Sequence, residues 1–287
     1  MPYSSPFQGF RLAYDRYGAG RPVVLLHGWP GDRTDYDELI PLLADHADLI
    51  VPDLRGFGES DKHPADPEDF YSGAGQAAGV SALLDELGVT GAVLAGYDIG
   101  SFIAQTTARN RPDLVRALVV SPPLPGAGER VLGLTAVKEF WYTSFHQLPL
   151  AENLIDGDPA AVRSYLEHFW NHWSGPGYTV DDSRIDHLTD VYSAPGAFIA
   201  SIMWYRSSGN PVTSYAREET PERSDRLATP IKVLWQEHDP IFPIAWADRL
   251  DDFFTDHRFE SLPGVGHFTP LEAAGGFAAA IREFLAG

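Results

Sequence analysis

The sequence predicts an α/β fold, a mostly parallel and doubly wound sheet with a helical segment inserted ahead of its last two strands. Three observations predict it. Short apolar runs alternate with stretches of helical period from Val23 to Val120. The alternation stops at Ser121-Pro122-Pro123-Leu124-Pro125-Gly126 and resumes only at Ile231. Between those points no strand-like run occurs, and aromatic residues such as Phe140, Trp141, Phe169, Trp170 and Trp204 crowd helical segments. The expected division is a core of residues 1–125 and 230–287 with a helical cap of residues 126–229.

Taken in order, Phe10 to Tyr17 alternates like a half-exposed strand, and Gly18 and Gly20 turn the chain. Val23 to Leu26 reads as a buried strand ending in His27-Gly28-Trp29-Pro30-Gly31, with Pro30 a candidate for a cis bond. Asp35 to Ala47 has helical period. Leu49 to Val51 is a second buried strand, leading into Asp53-Leu54-Arg55-Gly56-Phe57-Gly58-Glu59-Ser60. Ser72 to Leu87 reads as a helix, Ala92 to Ala95 as a strand, Ser101 to Arg109 as a helix and Leu114 to Val120 as a strand. After the inserted segment come a strand at Ile231 to Trp235, a helix around Trp246 to Phe254, a strand near Phe259 to Leu262 and a helix from about Gly275 to Phe284.

Composition narrows the function. The chain has 287 residues, 44% of them apolar, enough for a large core. A net charge of −19, with 40 acidic against 21 basic residues, would repel nucleic acid and other polyanions. There is no cysteine, so disulfides and thiolate metal sites are excluded. No HExxH, acidic calcium loop or nucleotide-binding glycine loop occurs, so no metal or cofactor is expected. The first ten residues lack a basic and then apolar signal pattern, and no run reaches membrane-spanning length. A cytoplasmic monomer or homodimer, with no membrane or nucleic-acid partner, is the expectation.

The stretch Ala92 to Ala104, AVLAGYDIGSFIA, carries the chemistry. Gly96 and Gly100 bracket a strand-to-helix turn with Asp98 at its apex, the layout of a nucleophile elbow. A carboxylate attacking a carbonyl would give an anhydride. On an sp³ carbon bearing a leaving group it gives an ordinary ester, which water must then hydrolyse. That second step needs a base, a group to orient the base and an oxyanion hole. His267, in a glycine-flanked loop after the last strand, is the candidate base. Asp239, in a turn after Ile231 to Trp235, is the candidate orienting acid, with Glu237 its rival. The backbone N–H groups of Trp29 and Ile99 are the candidate oxyanion hole.

Four motifs in this order resemble the α/β-hydrolases of the epoxide hydrolase and haloalkane or fluoroacetate dehalogenase group. They are HGWP (His27 to Pro30), DLRGFGESDK (Asp53 to Lys62), GYDIG (Gly96 to Gly100) and the pair WQEHDPIFP (Trp235 to Pro243) and GVGHFTP (Gly264 to Pro270). The resemblance implies an α/β-hydrolase fold with an inserted cap domain. It also implies two cap tyrosines that donate to an opening epoxide. Tyr142-Thr143-Ser144-Phe145-His146-Gln147 looks like the first such segment, with Tyr142 as donor and Trp141 as the competing register. Ile202-Met203-Trp204-Tyr205-Arg206 looks like the second, with Tyr205 as donor. The haloalkane dehalogenases typically place a tryptophan after the nucleophile and the fluoroacetate dehalogenases an arginine, whereas this chain has Ile99. Trp141, Phe145 and Trp204 are expected to line the substrate pocket. Arg55 and Glu59 are read as structural. The implied function is an epoxide hydrolase acting on a small apolar epoxide and water through an Asp98 ester. A dehalogenase using the same nucleophile, or a non-catalytic ligand-binding protein on the same fold, are the alternatives.

Overall fold

The computed structural model describes residues 2–207 and 211–285. Seven strands form one sheet: β1 (Tyr14–Gly18), β2 (Arg21–Leu26), β3 (Ala47–Pro52), β4 (Ala92–Gly96), β5 (Val115–Val120), β6 (Ile231–Gln236) and β7 (His257–Leu262). Their order is β1-β3-β2-β4-β5-β6-β7. Only β1 runs antiparallel, against β3. The central strands read as unbroken apolar runs because both faces of a parallel sheet are covered; every residue of β3, β4 and β6 is buried.

The chain leaves β2 for β3 on one side and then crosses back to lay β4 on the other side of β2. This reversal opens a crevice at the carboxyl ends of β2 and β4, where open α/β sheets take their ligands. Leu26 pairs with Gly96 there, so the loops starting at His27 and at Tyr97 leave the sheet side by side.

The helices α1 (Gly73–Glu86) and α2 (Ile99–Asn110) pack on each other, and α2 lies against β2, β4 and β5. Ser72 caps α1 by accepting from the N–H of Gly75 at 3.2 Å, as serine does ahead of a helix. Between β5 and β6 the described residues form helices and no strand of the sheet. The longer ones are α4 (Pro159–Trp173), α5 (Asp182–Ser193) and α6 (Ala197–Arg206). The short α3 (Trp141–Phe145) and α7 (Pro211–Ala216) flank the cavity described below. A final helix, α8 (Ala274–Leu285), returns to β4 and β5. Among the described residues no helix is long and apolar enough to cross a membrane.

Three sequence expectations need correction. The first strand begins at Tyr14, because the backbone of Ala13 is already engaged by Ser60 and Asp53. The helix expected over Asp35 to Ala47 is a 3₁₀ turn at Arg33–Tyr36, one α-turn at Ile40–Leu43, and then the start of β3. Asp35 is buried and bonded to Tyr97 and Arg184, which pins this segment, and Pro41 opens a fresh turn instead of continuing the first. The helix expected at Trp246 to Phe254 is likewise a 3₁₀ stretch, Ile244–Arg249, followed by a turn of α-helix at Leu250–Phe253. Arg249 leaves helical backbone at φ −117° while its guanidinium reaches Thr220 and Asp252.

Candidate active site

Asp98 stands between β4 and α2 with φ +49° and ψ −131°, a region costly for a residue with a Cβ. Its surroundings hold it there. A Cβ on Gly96 would meet the backbone of Gly100 at 2.6 Å, and one on Gly100 would meet the Leu26 carbonyl oxygen at 2.0 Å. Both glycines are therefore set by close backbone approach, as the elbow pattern requires. The N–H of Asp98 also donates to the Pro122 carbonyl at 3.0 Å.

The loop after β2 closes over this apex. Trp29 and Pro30 are joined by a cis bond. The Trp29 N–H donates to Asp98 Oδ1 at 2.8 Å, and Ile99 is the first residue of α2. Gly28 lets the loop come this close, since a Cβ there would lie 2.7 Å from the Asp98 Cβ.

His267 approaches from the loop after β7. Its ring is fully buried, with Nδ1 2.9 Å from Asp239 Oδ2 and Nε2 3.4 Å from Asp98 Oδ2. The second contact is an ion-pair distance without hydrogen-bond alignment, so Nε2 has no hydrogen-bond partner. Asp239 is oriented in turn by the N–H groups of Ile241 (2.8 Å) and Phe242 (3.2 Å) on Oδ1. Burial alone would lower the imidazole pKa; the charge of Asp239 and its hydrogen bond, together with Asp98, outweigh it and push His267 up to about 10. The rival acid, Glu237, is half-exposed and accepts from the Gly264 N–H instead.

A cavity of about 260 Å³ opens above Asp98. Tyr142 and Tyr205 both line it, with ring centroids 5.5 Å apart and planes at 85°. Tyr142 stacks on the Trp29 indole at 5.7 Å, and Tyr205 meets the same indole edge-on at 5.6 Å. Burial lifts both phenols well above their ordinary pKa, and the Asp98 charge raises them further. Neither hydroxyl is hydrogen-bonded to another described residue.

The remaining expectations divide. Ile99 and Trp204 line the cavity. Trp141 and Phe145 do not, which corrects the pocket reading: they line a separate open groove with Leu154, Tyr165 and His168. The reason is the single-turn helix α3, which turns Tyr142 inward and leaves Trp141 42% exposed. Arg55 is buried beneath the turn, reaching the carbonyls of Phe70 and Phe7, and Glu59 pairs with Arg33 at the surface. Lining residues that the sequence reading did not assign to the pocket include Phe102, Phe140, Phe242, Tyr215 and Glu218. The spacing of Pro211, Ser214, Tyr215 and Glu218 was the available signal for the last two.

Residues 21–274 match the family of the α/β hydrolase fold. The chain is 28% identical over 281 residues to a soluble epoxide hydrolase of Corynebacterium sp. (strain C12), covering 94% of this chain and 92% of that one. It is also 28% identical over 278 residues to a fluoroacetate dehalogenase of Burkholderia sp., covering 93% and 88%. Among solved structures it is similar to the epoxide hydrolase CorEH (TM-score 0.81, 24% identity, covering 99% and 98%). It is similar too to an inhibitor complex of a Bacillus megaterium epoxide hydrolase (TM-score 0.83, 20% identity, covering all of both chains). With its sheet order, its elbow and a family match spanning nearly the whole sequence, the chain belongs to the α/β-hydrolase fold family.

Proposed function

We propose that this protein is an epoxide hydrolase, converting an epoxide to a vicinal diol through an ester on Asp98. The observation that carries the reading is the pair of buried phenols, Tyr142 and Tyr205, lining one cavity with the Asp98 carboxylate. Asp98 Oδ2 attacks an oxirane carbon and the C–O bond breaks. The departing alkoxide is a strong base and takes a hydrogen bond, then a proton, from the phenols. Burial keeps both phenols protonated at neutral pH, as a proton donor requires.

In the second step the ester no longer carries the Asp98 charge, so His267 loses one of the two carboxylates that raise its pKa. Asp239 holds Nδ1, leaving Nε2 to take a proton from water. The hydroxide adds to the Asp98 carbonyl carbon, and Oδ1 gains its charge against the N–H groups of Trp29 and Ile99. Collapse breaks the bond between the Asp98 carboxyl carbon and the diol oxygen. The departing oxygen takes the proton of the hydroxyl just added, which restores the carboxylate, and the proton held by His267 returns to the phenolate left by the first step. In this reading residues 126–229 are a cap domain that carries the two donors, the enzyme works in the cytoplasm, and the substrate is small and apolar.

The dehalogenase reading rests on the fluoroacetate dehalogenase relative. Against it, Ile99 offers neither an indole N–H nor a guanidinium, and the described cavity lining contains no lysine, arginine or histidine.

Incubation with styrene oxide, 1-chlorohexane and fluoroacetate separates the readings: diol without halide supports the epoxide hydrolase, and halide without diol overturns it. His267→Gln with styrene oxide should accumulate an adduct of the substrate's mass on the Asp98 peptide. Normal turnover by that variant would remove His267 from the mechanism.

A further inference from the structure

One wall of the cavity takes no part in the steps above. Pro211, Ser214, Tyr215 and Glu218 recur at helical spacing along α7 and just beyond it, and all four line the cavity. The wall brings a hydroxyl, a phenol and a carboxylate, whereas Phe102, Phe140, Trp204 and Phe242 make much of the remaining lining aromatic.

Glu218 is held from behind. Its Oε2 accepts from the N–H of Gly126 at 2.7 Å and of Gly128 at 3.3 Å. Both glycines have positive φ, +109° and +55°. The turn that aims two amides at one carboxylate oxygen therefore uses backbone that side-chain-bearing residues avoid. Oε1 has no partner among the described residues. Burial raises the Glu218 pKa above its ordinary value; the two backbone amides, and more weakly Arg249 and Arg130, offset part of this, and the guanidiniums themselves bond elsewhere, to Thr220 and Asp252 and to Asp248 and the Gly126 carbonyl. Tyr215 is placed within the field of both Glu218 and Asp98. A ligand that reaches from Asp98 past Tyr215 thus meets a fixed carboxylate with an open acceptor and, in the described lining, no cation.

We infer that this wall selects the substrate: the protein prefers epoxides whose apolar body bears, remote from the oxirane, a hydrogen-bond donor such as a hydroxyl or ammonium group, and it rejects carboxylates. The inference rests on the epoxide hydrolase reading. A donor group completes the open valence of Glu218, while a carboxylate would bring a further negative charge between Glu218 and Asp98 without a counter-ion, which an apolar cavity penalises heavily.

The test is a matched set of phenyl glycidyl ethers carrying hydrogen, hydroxymethyl, aminomethyl or carboxylate at the meta and para positions. The quantity read is the ratio of kcat/KM for each ether to that of the unsubstituted one, within one enzyme. For the wild type the better hydroxymethyl and aminomethyl isomers should exceed unity by about tenfold, and the carboxylates should fall about a hundredfold below it. In Glu218→Gln, whose carboxamide oxygen can still accept from Gly126 and Gly128, the aminomethyl and carboxylate ratios should each move toward unity by about tenfold. Ratios near unity in the wild type, or ratios unchanged in a folded Glu218→Gln, overturn the inference. Failure of the wild type to hydrolyse even the unsubstituted ether overturns the epoxide hydrolase reading instead.

Discussion

Removing the hydroxyls of Tyr142 and Tyr205 tests the choice of leaving group most directly. The two phenylalanine substitutions keep the rings, including the stack of residue 142 on Trp29 at 5.7 Å, and delete only the donors. Since neither hydroxyl is bonded to a described residue, the change should leave stability nearly untouched, as expected when no buried partner is stranded. Its effect on rate should be large. General-acid assistance is worth about 10²- to 10⁴-fold, or roughly 3–5 kcal/mol of barrier. In the proposed mechanism the two phenols, with ring centroids 5.5 Å apart, serve one oxygen, so the surviving phenol covers part of the loss when one is deleted. Each single variant should thus lose about tenfold to a hundredfold in the rate of Asp98 alkylation, and the double variant about 10³- to 10⁴-fold, since groups acting as a unit are not additive. The assay is a rapid-quench single turnover with styrene oxide, read as mass added to the Asp98 peptide. A double variant alkylated at the wild-type rate would refute the argument, because an alkoxide would then be leaving without the only two phenols assigned to it.

The remaining predictions concern the charges behind the nucleophile. Asp98→Asn should lower the His267 pKa from its raised value near 10, since one of its two carboxylates disappears; a histidine titration by NMR that does not move would contradict the 3.4 Å contact. Because the folded-state pKa of His267 lies above the ordinary 6.5, its contribution to stability should be complete below about pH 6.5 and fall away as pH rises toward 10. Asp35, lifted to about 8 by burial despite Arg184 and Tyr97, adds a decline of the same sign between about pH 4 and 8. Denaturant unfolding at pH 6, 8 and 10 should show stability dropping throughout, and a rise between pH 8 and 10 would show the His267 assignment to be wrong in sign. Tyr97→Phe strips Asp35 Oδ2 of a donor at 2.6 Å in a fully buried site. It should cost about 1.5–3 kcal/mol, seen as a melting temperature lower by several degrees; an unchanged melt would mean that this bond contributes nothing.

The strands and the elbow were legible because they depend on local features: apolar runs between glycines, and small residues where backbones touch. Asp98, His267 and Asp239 follow the chain order of the fold, and the structure brings the three together within hydrogen-bonding or ion-pair reach. The losses have a common cause. Arg33–Tyr36, Ile40–Leu43 and Trp141–Phe145 are single turns, too short for apolar period to fix which way a side chain faces. So Trp141 and Phe145, plausible as pocket aromatics, face a different groove, and Tyr142 takes the inward position. Asp35 carried no readable signal at all, since what makes it structural is a tyrosine and an arginine distant in sequence, Tyr97 and Arg184.

Those distant contacts alter how the helical segment should be understood. The loop that offers the Trp29 N–H is gripped from that segment at successive points. The Trp170 indole donates to the Pro30 carbonyl at 3.1 Å, the Tyr192 hydroxyl to the Gly31 carbonyl at 2.8 Å, His187 meets Asp32 at 2.7 Å and Arg184 meets Asp35 at 3.0 Å. Asp35 in turn holds Tyr97, the residue before Asp98. Helices α4 and α5 therefore brace the Trp29 loop and the elbow while α3 and α6 present the phenols. A helical lid that only covered the cavity would need none of these bonds. Their placement argues that Asp98, the Trp29 N–H and the two phenols are set in register by one continuous packing, so that, in the proposed mechanism, a change in α5 would be felt as a loss of rate at Asp98 even with every lining residue intact.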